Sequence, residues 1–132
     1  MASLFTRIVQ GEIPCYKVAE TEDFLAFLDI SPRKKGHTLV IPKKEVDYIF
    51  DLDNATYTAL MVFAKKVAKA VEQVVDCKRI AVAVIGLEVP HTHVHLVPID
   101  QIGDLNFERA AVDLTSEEFT ELAGKISAAF LC

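Results

Sequence analysis

The chain has 132 residues, 52% of them apolar, with a formal charge of -5; it is long enough for one domain with a substantial core and too short to expect two. The acidic balance gives no electrostatic case for nucleic acid or an anionic membrane as a partner, and no stretch approaches the ~18 apolar residues of a membrane helix or shows the organisation of a signal peptide, so a cytoplasmic protein is expected. Cys15, Cys77 and Cys132 are odd in number, widely spaced and without a C-x-x-C pair, which argues against a disulfide framework and a thiolate zinc site.

In chain order, Leu4, Phe5, Ile8 and Val9 recur at helical spacing until Gly11 and Ile13-Pro14 stop the pattern, predicting a short N-terminal helix. Taken alone, Phe5 and Ile8 read as core residues, with a pocket wall as the sharper alternative. Tyr16 to Ala19 and Phe24 to Ile30 are apolar runs separated by Glu20-Thr21-Glu22-Asp23, which suits two antiparallel strands and a polar turn. Asp29 interrupts the second run, either as a solvated or turn-capping carboxylate or as an acceptor for ligand hydroxyls. Ser31 to Gly36 is a loop whose Arg33-Lys34-Lys35 triplet reads as solvated, and His37 opens a third strand ending at Pro42.

From Asp53 or Asn54 to about Asp76 a stripe of Leu60, Phe63, Ala64, Val67, Ala68, Val71, Val74 and Val75 predicts one long helix packed on the sheet. Arg79 to Ile85 is a fourth strand with small residues, Ala81 and Ala83, on one face. The short connection Gly86 to Pro90 then makes it the antiparallel neighbour of the next strand, with Gly86 and Glu88 at its rim. After Pro98 comes a mixed loop from Asp100 to Leu114. Thr115 to Glu118 has capping-box spacing, and Phe119, Leu122, Ala123, Ile126, Ala129 and Phe130 continue as an amphipathic helix over about 115–131.

The remaining strand is His91-Thr92-His93-Val94-His95-Leu96-Val97-Pro98. Three of the chain's four histidines fall here at two-residue spacing. On a strand these side chains share a face, so three imidazoles line one wall while Val94 and Leu96 enter the core. Such a wall has two uses. It can bind a metal, with His37, Glu88 or Asp29 as a third ligand. Alternatively, one imidazole attacks phosphorus while its neighbours donate to developing negative charge, which needs no metal. A purely structural ladder of buried rings would be costly to satisfy.

These segments resemble the histidine triad family of nucleotide-binding hydrolases and transferases. The resemblance rests on His91 to Val97, on Phe5-Thr6-Arg7-Ile8 with Gly11 to Pro14, on Leu25 to Ile30 and on Gly36 to Lys43, in the family's order, and covers about residues 4–98. It implies an α+β fold: an antiparallel sheet of about five strands, a long central helix, and short N-terminal and C-terminal helices. It also implies a homodimer joined through the long helix and a sheet edge. His93 would attack the α-phosphorus of a purine nucleotide derivative, with His95 assisting the leaving group and His91 and His37 supporting the hydrogen-bond network. Asp29 would bind ribose, and Leu4, Phe5, Ile8, Phe27 and Leu28 would wall the base and ribose pocket beside Gly86 and Glu88. No metal or other cofactor is implied, since the zinc-binding cysteines of some relatives correspond to Ser3 and Thr6. Phosphoramidate hydrolysis is the expected activity; dinucleoside polyphosphate hydrolysis, nucleotidyl transfer and nucleotide binding without turnover are the alternatives. The segment Val84 to Pro90 departs from the family's hydrolase branch, which carries Asn-x-Gly, a glutamine and a small hydroxyl residue there to contact phosphate.

Overall fold

Alternation along the strands decides which side of the sheet is scaffold and which is chemistry. In the computed structural model, which describes residues 2–132, β1 (Lys17–Glu20), β2 (Phe24–Leu28), β3 (Thr38–Pro42), β4 (Arg79–Ala83) and β5 (Val94–Ile99) form one sheet in the order β1-β2-β3-β5-β4, every pair antiparallel. Phe24, Ala26 and Leu28 of β2, Val40 of β3, and Val94 and Leu96 of β5 point to one side and join the main core. Leu25, Phe27, Leu39 and Ile41 point to the other and form a second, smaller cluster with Phe5. The histidine side of β5 belongs to this second face.

The main core lies under two helices. α2 (Asn54–Val74) buries Leu60, Phe63, Ala64, Val67, Ala70 and Val71, and each large side chain so buried contributes about 1.5–3 kcal/mol. α3 (Ser116–Leu131) starts at a capping box in which Glu118 N–H donates to Thr115 Oγ1 at 3.1 Å and Thr115 N–H to Glu118 Oε1 at 2.9 Å. Its 16 residues match the helix expected over about 115–131. It is an integral layer rather than an appendage, since Phe119 stacks on Tyr16 at 4.8 Å and Phe130 meets Phe63 at 5.7 Å. α1 (Leu4–Val9) lies on the opposite face of the sheet, with Phe5 in the smaller cluster. No helix among the described residues is long and apolar enough to cross a membrane.

Gly36 sets the start of β3. Its φ is +99°, and a Cβ there would stand 2.8 Å from Val75 Cγ2 and 3.1 Å from Pro98 Cγ, so both conformation and space demand glycine. The turn fixes His37 immediately before the strand rather than within it. β4 pairs only with β5, and its outer edge carries exposed Val82.

Candidate active site

The expected histidine strand is cut short. β5 begins at Val94, and His91 to His93 precede it as an irregular segment. The pairing Val40 with Val94, continued along the chains, would set Thr92 against Pro42, which has no N–H to give a ladder. Thr92 N–H turns instead to Val46 O at 2.7 Å, and His91 Nε2 to Pro42 O at 2.7 Å. In consequence the three imidazoles do not line one wall. His93 and His95 face a cavity of about 550 Å³, while His91, fully buried, lies behind them. β5 runs through Pro98 to Ile99. Pairing with β3 stops at Leu96, and only β4 accompanies the strand through Pro98.

Each cavity histidine is backed by one of the other two. His93 Nδ1 lies 2.7 Å from the backbone oxygen of His91. A carbonyl only accepts, so Nδ1 carries the proton and the neutral ring keeps its lone pair on Nε2. On the other side Arg33 N–H donates to His37 Nδ1 at 3.0 Å, which leaves the His37 proton on Nε2, 2.9 Å from His95 Nδ1. His95 therefore carries its own proton on Nε2. One chain of partners thus produces an acceptor at His93 Nε2, and the other a donor at His95 Nε2, on rings whose centroids are 5.0 Å apart.

Burial keeps His37, His95 and His91 neutral. Desolvation is the main cause that pushes His37 down to about 4, opposed by Asp29 and assisted by Arg33 and His93. Desolvation likewise pushes His95 down to about 3, with His37, His93 and Arg33 adding repulsion. The His91 imidazole is also lowered, again first by burial. At neutral pH these three rings are uncharged, and the tautomers above hold.

The walls place the residues singled out in the sequence. Leu4, Phe5, Ile8 and Phe27 line the cavity, with Phe5 edge-on to Phe27 at 5.6 Å and to His93 at 4.9 Å. Asp29 lies just beyond β2. Its Oδ1 accepts from Ser31 N–H at 2.8 Å and its Oδ2 is 3.6 Å from His37 Nε2, so it is at once a turn cap and a cavity carboxylate. Gly86 and Glu88 form the rim, with Ile85, Leu87 and Val89. Leu28 borders the cavity but belongs to the core under the helices, on the opposite face from Phe27. His91 and His37 are buried behind it. The small-residue face of β4 lies beside the histidines, Ala83 pairing with His95, rather than under a helix.

Arg33 and Phe107 line the cavity beside the histidines and escape a reading of the sequence. Arg33 is not part of a solvated triplet: half-buried, it donates to the carbonyl oxygens of Ser31 at 3.0 Å, Phe107 at 3.2 Å and Arg109. That attachment holds Phe107, the one aromatic of the loop after β5, edge-on to His95 at 4.7 Å and to His37 at 6.0 Å. Its being the single aromatic in the mixed loop from Asp100 to Leu114 was the available signal.

Asp29, His37 and His95 bring donor atoms within 4.8 Å of one another, a set a metal could use. His37 Nε2 and His95 Nδ1 are already at hydrogen-bond distance, 2.9 Å, whereas two nitrogens on one tetrahedral zinc at the usual Zn–N length stand about 3.3 Å apart. Binding an ion there would require opening that pair.

The HIT domain family model matches residues 10–102. An uncharacterized HIT-like protein of Borreliella burgdorferi is 34% identical over 132 residues, covering 94% of this chain and 95% of that one. The adenosine 5'-monophosphoramidase hnt1 of Schizosaccharomyces pombe is 40% identical over 103 residues, covering 74% of each. Among solved structures, a Hit-like protein from Bartonella henselae superposes with a TM-score of 0.84 at 32% identity, covering 96% of this chain and 95% of that one. With its five-stranded antiparallel sheet, its three helices and its paired histidines, the chain belongs to the HIT domain, or histidine triad, family.

Proposed function

We propose that the chain hydrolyses purine nucleoside phosphoramidates or related nucleotide conjugates at the α-phosphate, through a nucleotidyl intermediate on His93. The observation that carries this reading is the opposed pair of tautomers: a lone pair at His93 Nε2 beside a neutral N–H donor at His95 Nε2. His93 Nε2 attacks phosphorus, forming an N–P bond as the bond to the leaving amine breaks, and the amine departs with a proton drawn from water. His95 Nε2–H donates to the phosphoryl oxygen on which negative charge grows, a type of contact worth on the order of 10²–10³ in kcat. Water then attacks the intermediate, releasing the nucleoside monophosphate and a proton and restoring the His93 lone pair. The base lies between Phe5, Ile8 and Phe27, and Asp29 takes the ribose hydroxyls. Glu88 at the rim favours a leaving group that carries an amine. Naming of the Schizosaccharomyces pombe relative as an adenosine 5'-monophosphoramidase supports this substrate class.

A homodimer accompanies this reading, because β4 leaves one edge of the sheet unpaired and exposes Val82, Val84 and Ile85 beside it. A second reading, nucleotide binding without turnover, is favoured by the rim itself, where Val84 to Pro90 carries no amide or hydroxyl side chain to hold phosphate. Incubation with an adenosine 5'-phosphoramidate and a dinucleoside polyphosphate, in the presence of a chelator, separates the two. AMP release lost in His93→Ala supports the hydrolase. Tight AMP binding without release from either substrate supports the binding protein.

A further inference from the structure

The His91 segment is gripped from outside the cavity by residues with no part in the chemistry described so far. Glu45, on the exposed loop after β3, accepts at Oε1 from the Ser3 backbone N–H at 2.6 Å and from the Thr6 hydroxyl at 2.6 Å. A carboxylate only accepts, so the single Thr6 hydroxyl proton is committed to it. Ser3 Oγ accepts from Thr6 N–H at 3.0 Å, which caps α1, and its own proton goes to His91 Nδ1 at 2.8 Å. That assignment agrees with the opposite nitrogen, where His91 Nε2–H donates to Pro42 O. Thr92 completes the grip, its N–H and its hydroxyl each donating to Val46 O at 2.7 Å.

Residues 91 and 92 are thus clamped between the start of α1 and the segment 42–46, the end of β3 and the loop after it. The backbone oxygen held in this clamp is the one that accepts from His93 Nδ1. Phe5, two residues after the Ser3 cap, packs edge-on against both the His91 and His93 rings. The hydrogen bonds from Thr6 first, then from Ser3, hold the Glu45 carboxyl at about 2, so it is an anion throughout the neutral range.

We propose that Glu45 and Ser3 are positioning residues for the nucleophile: by fixing the His91 ring they fix its carbonyl, and through that carbonyl they set the tautomer and direction of the His93 imidazole. This rests on His93 being the nucleophile. A network that merely held α1 down would alter stability and nucleotide affinity, both of which α1 serves, and would leave the state of the His93 ring untouched.

The test compares Glu45→Ala, Glu45→Gln, Ser3→Ala and Ser3→Thr in the full chain. It uses steady-state hydrolysis of adenosine 5'-phosphoramidate together with nitrogen NMR of ¹⁵N-histidine-labelled resting protein. The two alanine variants lower kcat by on the order of tenfold with KM held within about twofold, and their His93 signals change from one Nδ1–H tautomer to a mixture. Glu45→Gln keeps an acceptor oxygen and Ser3→Thr keeps a donating hydroxyl, so in both of these variants the two measurements return towards wild type. Glu45 is exposed, so Glu45→Ala remains informative if Ser3→Ala fails to fold. Alanine variants with a wild-type kcat and an unchanged His93 tautomer overturn the proposal, even if affinity or thermal stability falls. If wild type itself does not turn over, the nucleophile reading fails, and the tautomer measurement still decides whether the clamp sets the ring.

Discussion

His37 Nε2 stands 2.9 Å from His95 Nδ1, and both rings are buried. The pair is the reason His95 presents a proton to the cavity without being charged, and it makes His37 consequential although it does not touch the cavity. His95→Ala removes the donor and is expected to lower kcat on the order of 10²-fold. His37→Ala leaves His95 in place but frees its tautomer, with an expected loss of about tenfold in kcat and little change in KM. Steady-state kinetics of the two single variants and the double variant check this; the double variant is expected to resemble His95→Ala alone, because the two act as one unit.

Asp29 offers a different separation. Asp29→Asn preserves the Oδ1 acceptor for Ser31 N–H and removes the negative charge 3.6 Å from His37. If the carboxylate takes ribose hydroxyls, affinity for a ribonucleotide falls by about tenfold, roughly the value of a charge-assisted hydrogen bond. A 2'-deoxynucleotide loses less. Calorimetric titration with AMP and its 2'-deoxy analogue reads the difference, and equal losses for both would remove Asp29 from the ribose site.

Acid is expected to destabilise the fold through the buried histidines. In the unfolded chain a histidine titrates near ~6.5, whereas burial holds His37 at about 4 and His95 at about 3 in the fold. Between these limits the unfolded state binds more protons, so stability is full above pH ~6.5 and is lost as the pH falls towards the folded values. Melting temperatures measured from pH 7 to pH 4 check the sign. In His37→Asn, which removes one of these depressed groups, the decline is shallower than in wild type.

Gly36→Ala tests the turn that delivers His37. The added Cβ meets Val75 Cγ2 at 2.8 Å in a backbone with φ +99°, a combination of strain and overpacking worth about 1–3 kcal/mol. Chemical denaturation gives the stability change. The same variant is expected to lose activity before it loses its fold, because His37 N–H and C=O are bonded on either side of this turn, to Lys34 O and from Asp29 N–H at 3.0 Å each.

Most of the scaffold was legible because its signals are local and periodic. The α2 stripe, the Thr115 capping box and the strand alternation each specify their own element, and the structure places all of them. Two-residue spacing of the histidines was legible too, but its geometric meaning was not. Alternation alone predicts a strand from His91, whereas Pro42 on the neighbouring strand cannot continue the ladder past Val94, a constraint that acts across 49 residues of chain. Arg33, Phe107 and Glu45 escape the sequence for the same reason. Each is a polar or isolated loop residue in sequence, and each acquires its place only from a partner brought in by the fold: the carbonyl of Phe107, the ring of His95, and the hydroxyl of Thr6.

The most direct measurement is to trap the intermediate. The protein is mixed with an adenosine 5'-phosphoramidate, quenched in base, where an N–P bond to imidazole survives, and mapped by peptide mass spectrometry. The account predicts one nucleotidyl group on the peptide containing His93, carried by His93 itself and absent in His93→Ala, which releases no AMP. AMP release that continues in His93→Ala, with no adduct in wild type at any time during turnover, would contradict it.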